Sequence, residues 1–418
     1  MAQISLFMLV LVALDGYNFI LRYAMYQQAG LLAVVSLLCF LFFSFFKFSF
    51  SCFNTLQLWP CAISFVLAYM FLIIGRKFFL KMLNHDNLRE RVLLIGNGWM
   101  GQAIAKALKQ REFMGWEFIG FVALQGGKDQ DQAAGEVVAC LEQLDDIVQD
   151  KDVTTIVDTR AAVIDLKPGR RSKKGWAGSC NLKFECSLKI MDGQDFYEAL
   201  TRRIPLPEDS SSQDDYSLSI SAKPHVHQLI RHIYNLALAI TLLVVSLPLW
   251  LLISAAIKLE DGGPVFYTGE RIGYLGRPFK LIKFRTMLTN ADDLICFNGL
   301  PAHDCVTRLG RFLRKTRLDE LPQLLNILKR DINLVGPRPF VHREVESFKR
   351  EIPYFEKRYL IRPGITGMAQ VLYCYENNLE DAKIKLQYDF YYVKNSGFFL
   401  DLLIMLWTAV SMLSFKGR

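Results

Sequence analysis

The chain has 418 residues, 52% of them hydrophobic and 22% charged, with 31 Phe and a formal net charge of +8. Only three charged residues, Asp15, Arg22 and Lys47, fall in the first 75 positions, and the rest of the chain carries the charge density of an ordinary soluble domain. That asymmetry excludes a fully soluble enzyme and also a channel or transporter built only of helices, and the length suggests two or three units.

Three apolar stretches come first, over residues 4–21, 31–46 and 59–75. Each approaches the ~20 residues that a helix needs to cross a bilayer. No basic segment precedes the first, which argues against a cleaved signal peptide. Arg76, Lys77, Lys81, Arg89 and Arg91 follow the third and mark the cytoplasmic side.

Residues 91–160 show a βαβαβ rhythm: strands over 91–96, 116–124 and 153–158, with helices to about residue 112 and over 141–149. The first strand runs into Gly96-Asn-Gly98-Trp-Met-Gly101, the spacing of a nucleotide-binding loop. The acid expected after the second strand is missing, since Leu124-Gln125-Gly126-Gly127 stands there. The glycines are then read chiefly as permitting tight strand–helix packing. Residues 167–179 form a basic, Gly-rich loop, and residues 209–213 a linker.

The next apolar run, 233–257, has no charge and lies between Arg231 and Lys258. Ser246-Leu247-Pro248 sits near its centre. Proline removes a backbone donor and clashes with the preceding turn, so the helix is expected to break there and leave the membrane on the side it entered. A kinked spanning helix is the alternative. Residues 398–415, interrupted by Asp401, read as a helix lying on the membrane surface.

Between these apolar segments lie four islands. In the first, residues 279–287, alternation puts Lys283 and Arg285 on one side of a strand. The second, 307–323, sets Arg314 and Arg317 just before Asp319-Glu320. The third, 334–339, brackets Arg338 with Pro337 and Pro339. The fourth begins Arg362-Pro363-Gly364. Arg side chains bind phosphate oxygens bidentately. Carboxylates among such cations are expected to stay ionised. An ionised Asp319 suits attack on phosphorus, and Glu320 suits Mg²⁺, which takes one or two carboxylates plus phosphate oxygens. The nine Cys are scattered, with no Cys-x-x-Cys and no zinc spacing, as in reduced cytosolic or membrane-buried thiols. The basic balance suits an anionic membrane face or a phosphate-rich ligand. No nucleic-acid partner is expected.

From about Arg231 onward the chain resembles the bacterial sugar transferase family, the monotopic phosphoglycosyl transferases. The Ser-Pro-broken helix, KFRTM (283–287), LDELPQLLNILK (318–329), LVGPRP (334–339), RPGITGMAQV (362–371) and YDFYYVKN (388–395) carry the resemblance. The front is similar to the large, exopolysaccharide-type members, with membrane helices and a Rossmann-like domain. Residues 196–205 look like the end of that domain. The implied fold is membrane α plus α/β: about three transmembrane helices in 1–83, a Rossmann-like α/β domain in 84–210, a linker in 211–227, and a re-entrant-helix monotopic catalytic domain in 228–418.

The resemblance implies transfer of a sugar-1-phosphate from a UDP-sugar to undecaprenyl phosphate, with release of UMP. Asp319 would form a covalent phosphosugar, and Glu320 would bind Mg²⁺. Lys283, Arg285, Arg314, Arg317, Arg338 and Arg362 would contact phosphate or uridine, and Asp389 would support the site. The large members suggest a homodimer at the cytoplasmic face of the bacterial inner membrane, beginning exopolysaccharide, O-antigen or capsule synthesis.

Three departures stand out. Three N-terminal helices replace the usual four, Leu372-Tyr373-Cys374 stands where many members have Asn-Gly-Arg, and Asn235 replaces an Asp. The second keeps open an inactive scaffold or nucleotide sensor. An NAD-dependent oxidoreductase using Gly96, Gly98 and Gly101 is disfavoured by the missing acid.

Overall fold

The computed structural model describes residues 70, 74, 90–109, 116–123, 137–140, 144–159, 188–207, 220, 224–290, 304–373 and 378–413. Apart from Met70 and Ile74, the three N-terminal apolar stretches lie outside the described residues. So do the basic loop 167–179 and the linker 209–213. The chain divides into two compact units, and each is described by itself.

The first unit holds a five-stranded parallel sheet, in the order β3-β2-β1-β4-β5. β1 (Glu90–Ile95), β2 (Trp116–Ala123) and β4 (Thr155–Asp158) fall where the apolar pattern places strands. β1 is central, so Val92, Leu93, Leu94 and Ile95 are all buried, which explains a continuous apolar run rather than an alternating one. β3 (Val137–Cys140) and β5 (Lys189–Asp192) were not legible from the pattern. Helices α1 (Trp99–Lys109), α2 (Leu144–Asp150) and α3 (Gly193–Thr201) complete the described elements. Leu93 and Ile95 pack with Leu144 and Val148 of α2. At the glycine loop, a Cβ on Gly101 would meet the Gly96 carbonyl oxygen at 2.5 Å. Thr159 donates its hydroxyl to the carbonyls of Ile95 and Gly96, at 2.8 and 3.1 Å. Close packing therefore accounts for Gly101.

The second unit begins with α4 (His225–Asp261), 37 residues long, or about 55 Å if straight. Among the described residues it alone is long and apolar enough to cross a membrane. The break expected at Ser246 and Pro248 is not a gap, because the helix continues through both. Its two halves nevertheless dock on the same unit. Arg231, Asn235 and Ala239 are buried near one end, and Trp250, Ile253 and Ile257 near the other. None of residues 240–249 is buried.

A β-hairpin follows, β6 (Phe266–Ile272) with β7 (Pro278–Phe284). Then come α5 (Arg308–Thr316), a single 3-10 turn (Leu318–Glu320), and α6 (Gln323–Leu328). A short parallel pair joins β8 (Asn333–Val335) to β9 (Gly364–Thr366) around α7 (His342–Glu351). Helices α8 (Met368–Leu372), α9 (Leu379–Asn395) and α10 (Phe398–Leu413) end the described chain. The sequence places α10 on a membrane surface. One face of it packs into the unit, with Asp401, Leu403, Ile404, Leu406 and Trp407 buried, while Phe398 and Phe399 are exposed.

Candidate active site

The Asp-Glu pair is positioned from below by leucines. Leu318 and Leu321, on either side of it, pack against a cluster of Trp250, Ile253 and Ile257 from α4, Phe284 from β7 and Leu313 from α5. α5 starts on Thr307, whose side chain accepts the Gly310 N–H at 2.9 Å. It stops at Arg317, which adopts left-handed φ (56°). The chain then turns sharply, and Asp319 and Glu320 occupy the 3-10 turn between the apolar anchors.

Both carboxylates line a cavity of about 700 Å³. Lys283, Arg285, Arg314, Arg317 and Arg338 line it too, joined by Arg271 and Lys385. Seven cations against two acids, among the described lining, make this a receptor for an anion. Glu320 pairs with Lys283 at 3.0 Å. Arg314 donates Nε to the Thr286 hydroxyl at 2.9 Å. Arg285 pairs with Asp261, yet its Nε and Nη1 have no partner although only 8% of the residue is exposed. A buried guanidinium left half-satisfied is costly unless a ligand completes it.

The neighbouring cations do not lower the Asp319 carboxyl, contrary to what the sequence leads one to expect. It is raised above the ordinary carboxylate range, because burial and then the charge of Glu320 outweigh Lys283 and Arg314. The donor set fits Mg²⁺ of the kind bound by one or two carboxylates and completed by phosphate and water. Among the described residues no group of three or more His, Cys, Asp or Glu forms a protein-only cage.

The two Pro/Gly islands interlock into one structure. Gly336 donates its N–H to Thr366 at 2.8 Å, and Gly364 donates to the Pro337 carbonyl at 3.0 Å. A Cβ on Gly336 would meet the Arg362 carbonyl oxygen at 2.5 Å, so a side chain there would part the islands.

The sequence model of the family described as "Bacterial sugar transferase" matches residues 226–415. The chain is 38% identical over 188 residues to the UDP-glucose:undecaprenyl-phosphate glucose-1-phosphate transferase of Caulobacter vibrioides, covering 44% of this chain and 70% of that one. The chain belongs to the bacterial sugar transferase family. It is also 38% identical over 192 residues to the UDP-N-acetylgalactosamine-undecaprenyl-phosphate N-acetylgalactosaminephosphotransferase of Aeromonas hydrophila. That match covers 46% of this chain but only 45% of the relative. To the UDP-glucose:undecaprenyl-phosphate glucose-1-phosphate transferase of Escherichia coli it is 28% identical over 338 residues, 80% of this chain and 69% of that one.

In this sugar transferase family member, two site residues expected from the sequence stand outside the cavity lining. Arg362 donates Nε to the Arg330 carbonyl at 2.9 Å and stacks over Tyr274 at 5.0 Å. It lines a separate hollow of about 30 Å³. Asp389 is buried and pairs with Arg358 at 2.9 Å.

Sequence reasoning missed Arg358, Gln370, Tyr373 and Lys385. The last three line the cavity, and Tyr373 donates its hydroxyl to Asp381 at 2.6 Å. No periodicity marks them, because α8 and α9 face the cavity with isolated residues rather than a stripe. Asp401 had a signal, since an acid inside an apolar run implies a buried partner.

Proposed function

We propose that the protein transfers a sugar-1-phosphate from a UDP-sugar to undecaprenyl phosphate and releases UMP, as the first membrane step of surface-polysaccharide synthesis. The observation that carries this reading is the placement of Asp319 and Glu320 among seven cations in one cavity. The names of the relatives support the substrate classes.

In the first step an Asp319 carboxylate oxygen attacks the β-phosphorus. The bond from that phosphorus to the oxygen bridging the α-phosphate breaks, and UMP leaves with the bridging oxygen. In the second step an undecaprenyl phosphate oxygen attacks the same phosphorus and releases Asp319. Arg314 and Lys283 favour the ionised form of Asp319 against its burial. The half-satisfied Arg285 would take a phosphate oxygen. Glu320, with Asp319 beside it, would hold Mg²⁺, which would neutralise charge on the departing phosphate.

The lipid substrate calls for a membrane setting. We read α4 as re-entrant: both halves dock on the same unit while residues 240–249 stay unburied. The catalytic unit then stays with UDP-sugar at the cytoplasmic face of the inner membrane. The strand order of the first unit supports a Rossmann-like domain.

Membranes containing the protein, incubated with a panel of UDP-sugars, Mg²⁺ and undecaprenyl phosphate, should yield UMP with at least one sugar. Chelation should stop it, and Asp319→Ala should abolish it. Undiminished UMP release by Asp319→Ala would remove the nucleophile. No release with any sugar would favour the inactive scaffold.

A further inference from the structure

The turn that carries Arg338 is gripped at both ends by buried arginines that do not line the cavity. At its start, Asn235 accepts the Leu334 N–H at 2.7 Å. Arg231, 4% exposed, donates Nη2 to the Val335 carbonyl at 2.6 Å and Nε to Asp401 at 3.2 Å. Asp401 is 1% exposed and also accepts the hydroxyls of Tyr392 and Tyr234. At its end, Arg358 donates Nη2 to the carbonyl of Arg338 itself at 2.8 Å and to Asp389 at 2.9 Å. The Phe340 ring lies 4.3 Å from its guanidinium carbon.

The chemistry of the turn shows why those two carbonyls matter. Pro337 and Pro339 fix their own φ angles, and each restricts the residue before it. Gly336 is held by its bond to Thr366. The Val335–Gly336 peptide is thus held on both sides, its N–H by Thr366 and its carbonyl by Arg231, whereas the Arg338–Pro339 peptide has no N–H and is held through its carbonyl by Arg358. Arg231 bonds its carboxylate through Nε and its carbonyl through Nη2, whereas Arg358 bonds both through Nη2; a planar guanidinium held in this way fixes direction as well as distance. Apolar residues of similar volume would match such pairs in stability, but they cannot orient a carbonyl.

We propose that Arg231 and Arg358 are positioning residues for Arg338. Each is paired with its own buried aspartate and clamps one end of the Val335–Arg338 turn, so that the Arg338 guanidinium is presented to the cavity. Arg231 stands on α4 just before the apolar run 233–257. The seating of the membrane helix and the presentation of an active-site cation therefore share one contact. This inference rests on the proposed function only in taking the cavity as a diphosphate site.

The test is a double-mutant cycle read by binding. The full chain in lipid nanodiscs is titrated with UDP as wild type, Arg338→Ala, Arg231→Lys, Arg358→Lys and each Lys variant combined with Arg338→Ala. Lysine keeps the charge, but at 231 one ammonium cannot span Asp401 and the Val335 carbonyl, which Arg231 reaches through different nitrogens, and at 358 the shorter side chain withdraws the one nitrogen that Nη2 places between Asp389 and the Arg338 carbonyl. Each single variant should weaken UDP binding by about tenfold. The doubles should be no weaker than Arg338→Ala alone, because the clamps act through that side chain. Amide exchange should quicken in peptides spanning 335–340 and stay unchanged in β7. Tyr392→Phe, which removes a hydroxyl in contact with Asp401, Arg231 and the Val335 carbonyl without removing a charge, should show the same pattern with a smaller loss. Losses that multiply in the doubles would overturn the proposal. So would wild-type UDP affinity in Arg338→Ala or in either Lys variant. The function fails on a different result: UDP bound normally by the wild type while no UDP-sugar yields UMP.

Discussion

Gly310 shows how a residue without functional groups governs one that has them. A Cβ there would overlap the Thr286 carbonyl, and the Thr286 hydroxyl holds Arg314. Alanine at a helix position is favoured over glycine by about 1 kcal/mol, whereas overpacking costs roughly 1–3 kcal/mol. Gly310→Ala should therefore lower the thermal midpoint and also reduce UMP release, by moving α5 and Arg314 away from the Thr286 backbone. Asp389 gives a pH signature. Burial pushes its carboxyl up to about 6, against the opposing charges of Arg358 and Lys385. In the unfolded chain it titrates near ~4. Between those values the native state holds the proton and the unfolded state has lost it, so the stability that Asp389 contributes falls as pH rises through that window. Denaturant unfolding of the wild type and Asp389→Asn from pH 4 to 7.5 should show the wild type losing ground to the variant up to about pH 6–7, then a constant difference. A constant difference throughout would show that the carboxyl titrates alike in both states.

Among the elements, α10 shows best how far the sequence could be read. Its apolar run and the acid inside it were visible, but the run has no way to name that acid's partner. Asp401 is satisfied by Arg231, 170 positions earlier, and a pairing at that separation leaves no local pattern. β3 and β5 were missed for a related reason. Each is a four-residue strand at an edge of the sheet, and β5 buries none of its residues, whereas the equally short β4 is buried throughout. Lys283, Arg285, Arg314, Arg317, Arg338, Asp319 and Glu320 were legible because strand alternation, a helix end and a proline-framed turn each fixed a local direction. Arg362 was not placed correctly by the same reasoning, since its guanidinium turns to Arg330 and Tyr274. Removing one partner of a buried pair leaves an uncompensated charge and costs about 3–5 kcal/mol. Asp401→Ala should lose stability of that order in denaturant unfolding of the full chain in detergent. Arg231→Met combined with Asp401→Leu should recover most of it, because no charge is then left buried.

At the scale of the whole molecule the proposed reaction requires one chain to bring a water-soluble and a lipid-soluble substrate to one phosphorus. A straight α4 of about 55 Å exceeds the ~30 Å hydrocarbon layer, and a spanning path would carry one docked half to the far side. Yet Arg231 grips β8 at one end, and at the other Glu260 accepts the Leu309 N–H of α5 at 3.2 Å. β8 and α5 belong to a single compact unit, so the two ends cannot lie on opposite faces of a bilayer while both contacts persist. Pro248 supplies the means of bending, since its missing N–H leaves the Val244 carbonyl without its helical donor. A small epitope inserted at position 215, before α4, and another placed after residue 418 should therefore be reached from the same side in oriented vesicles. Pro248→Leu restores that donor and favours a straight helix. It should shift part of the population to opposite-side labelling and reduce UMP release in proportion. Opposite-side labelling of the wild type would instead establish a spanning helix and require the Arg231 or Glu260 contact to be absent in the membrane.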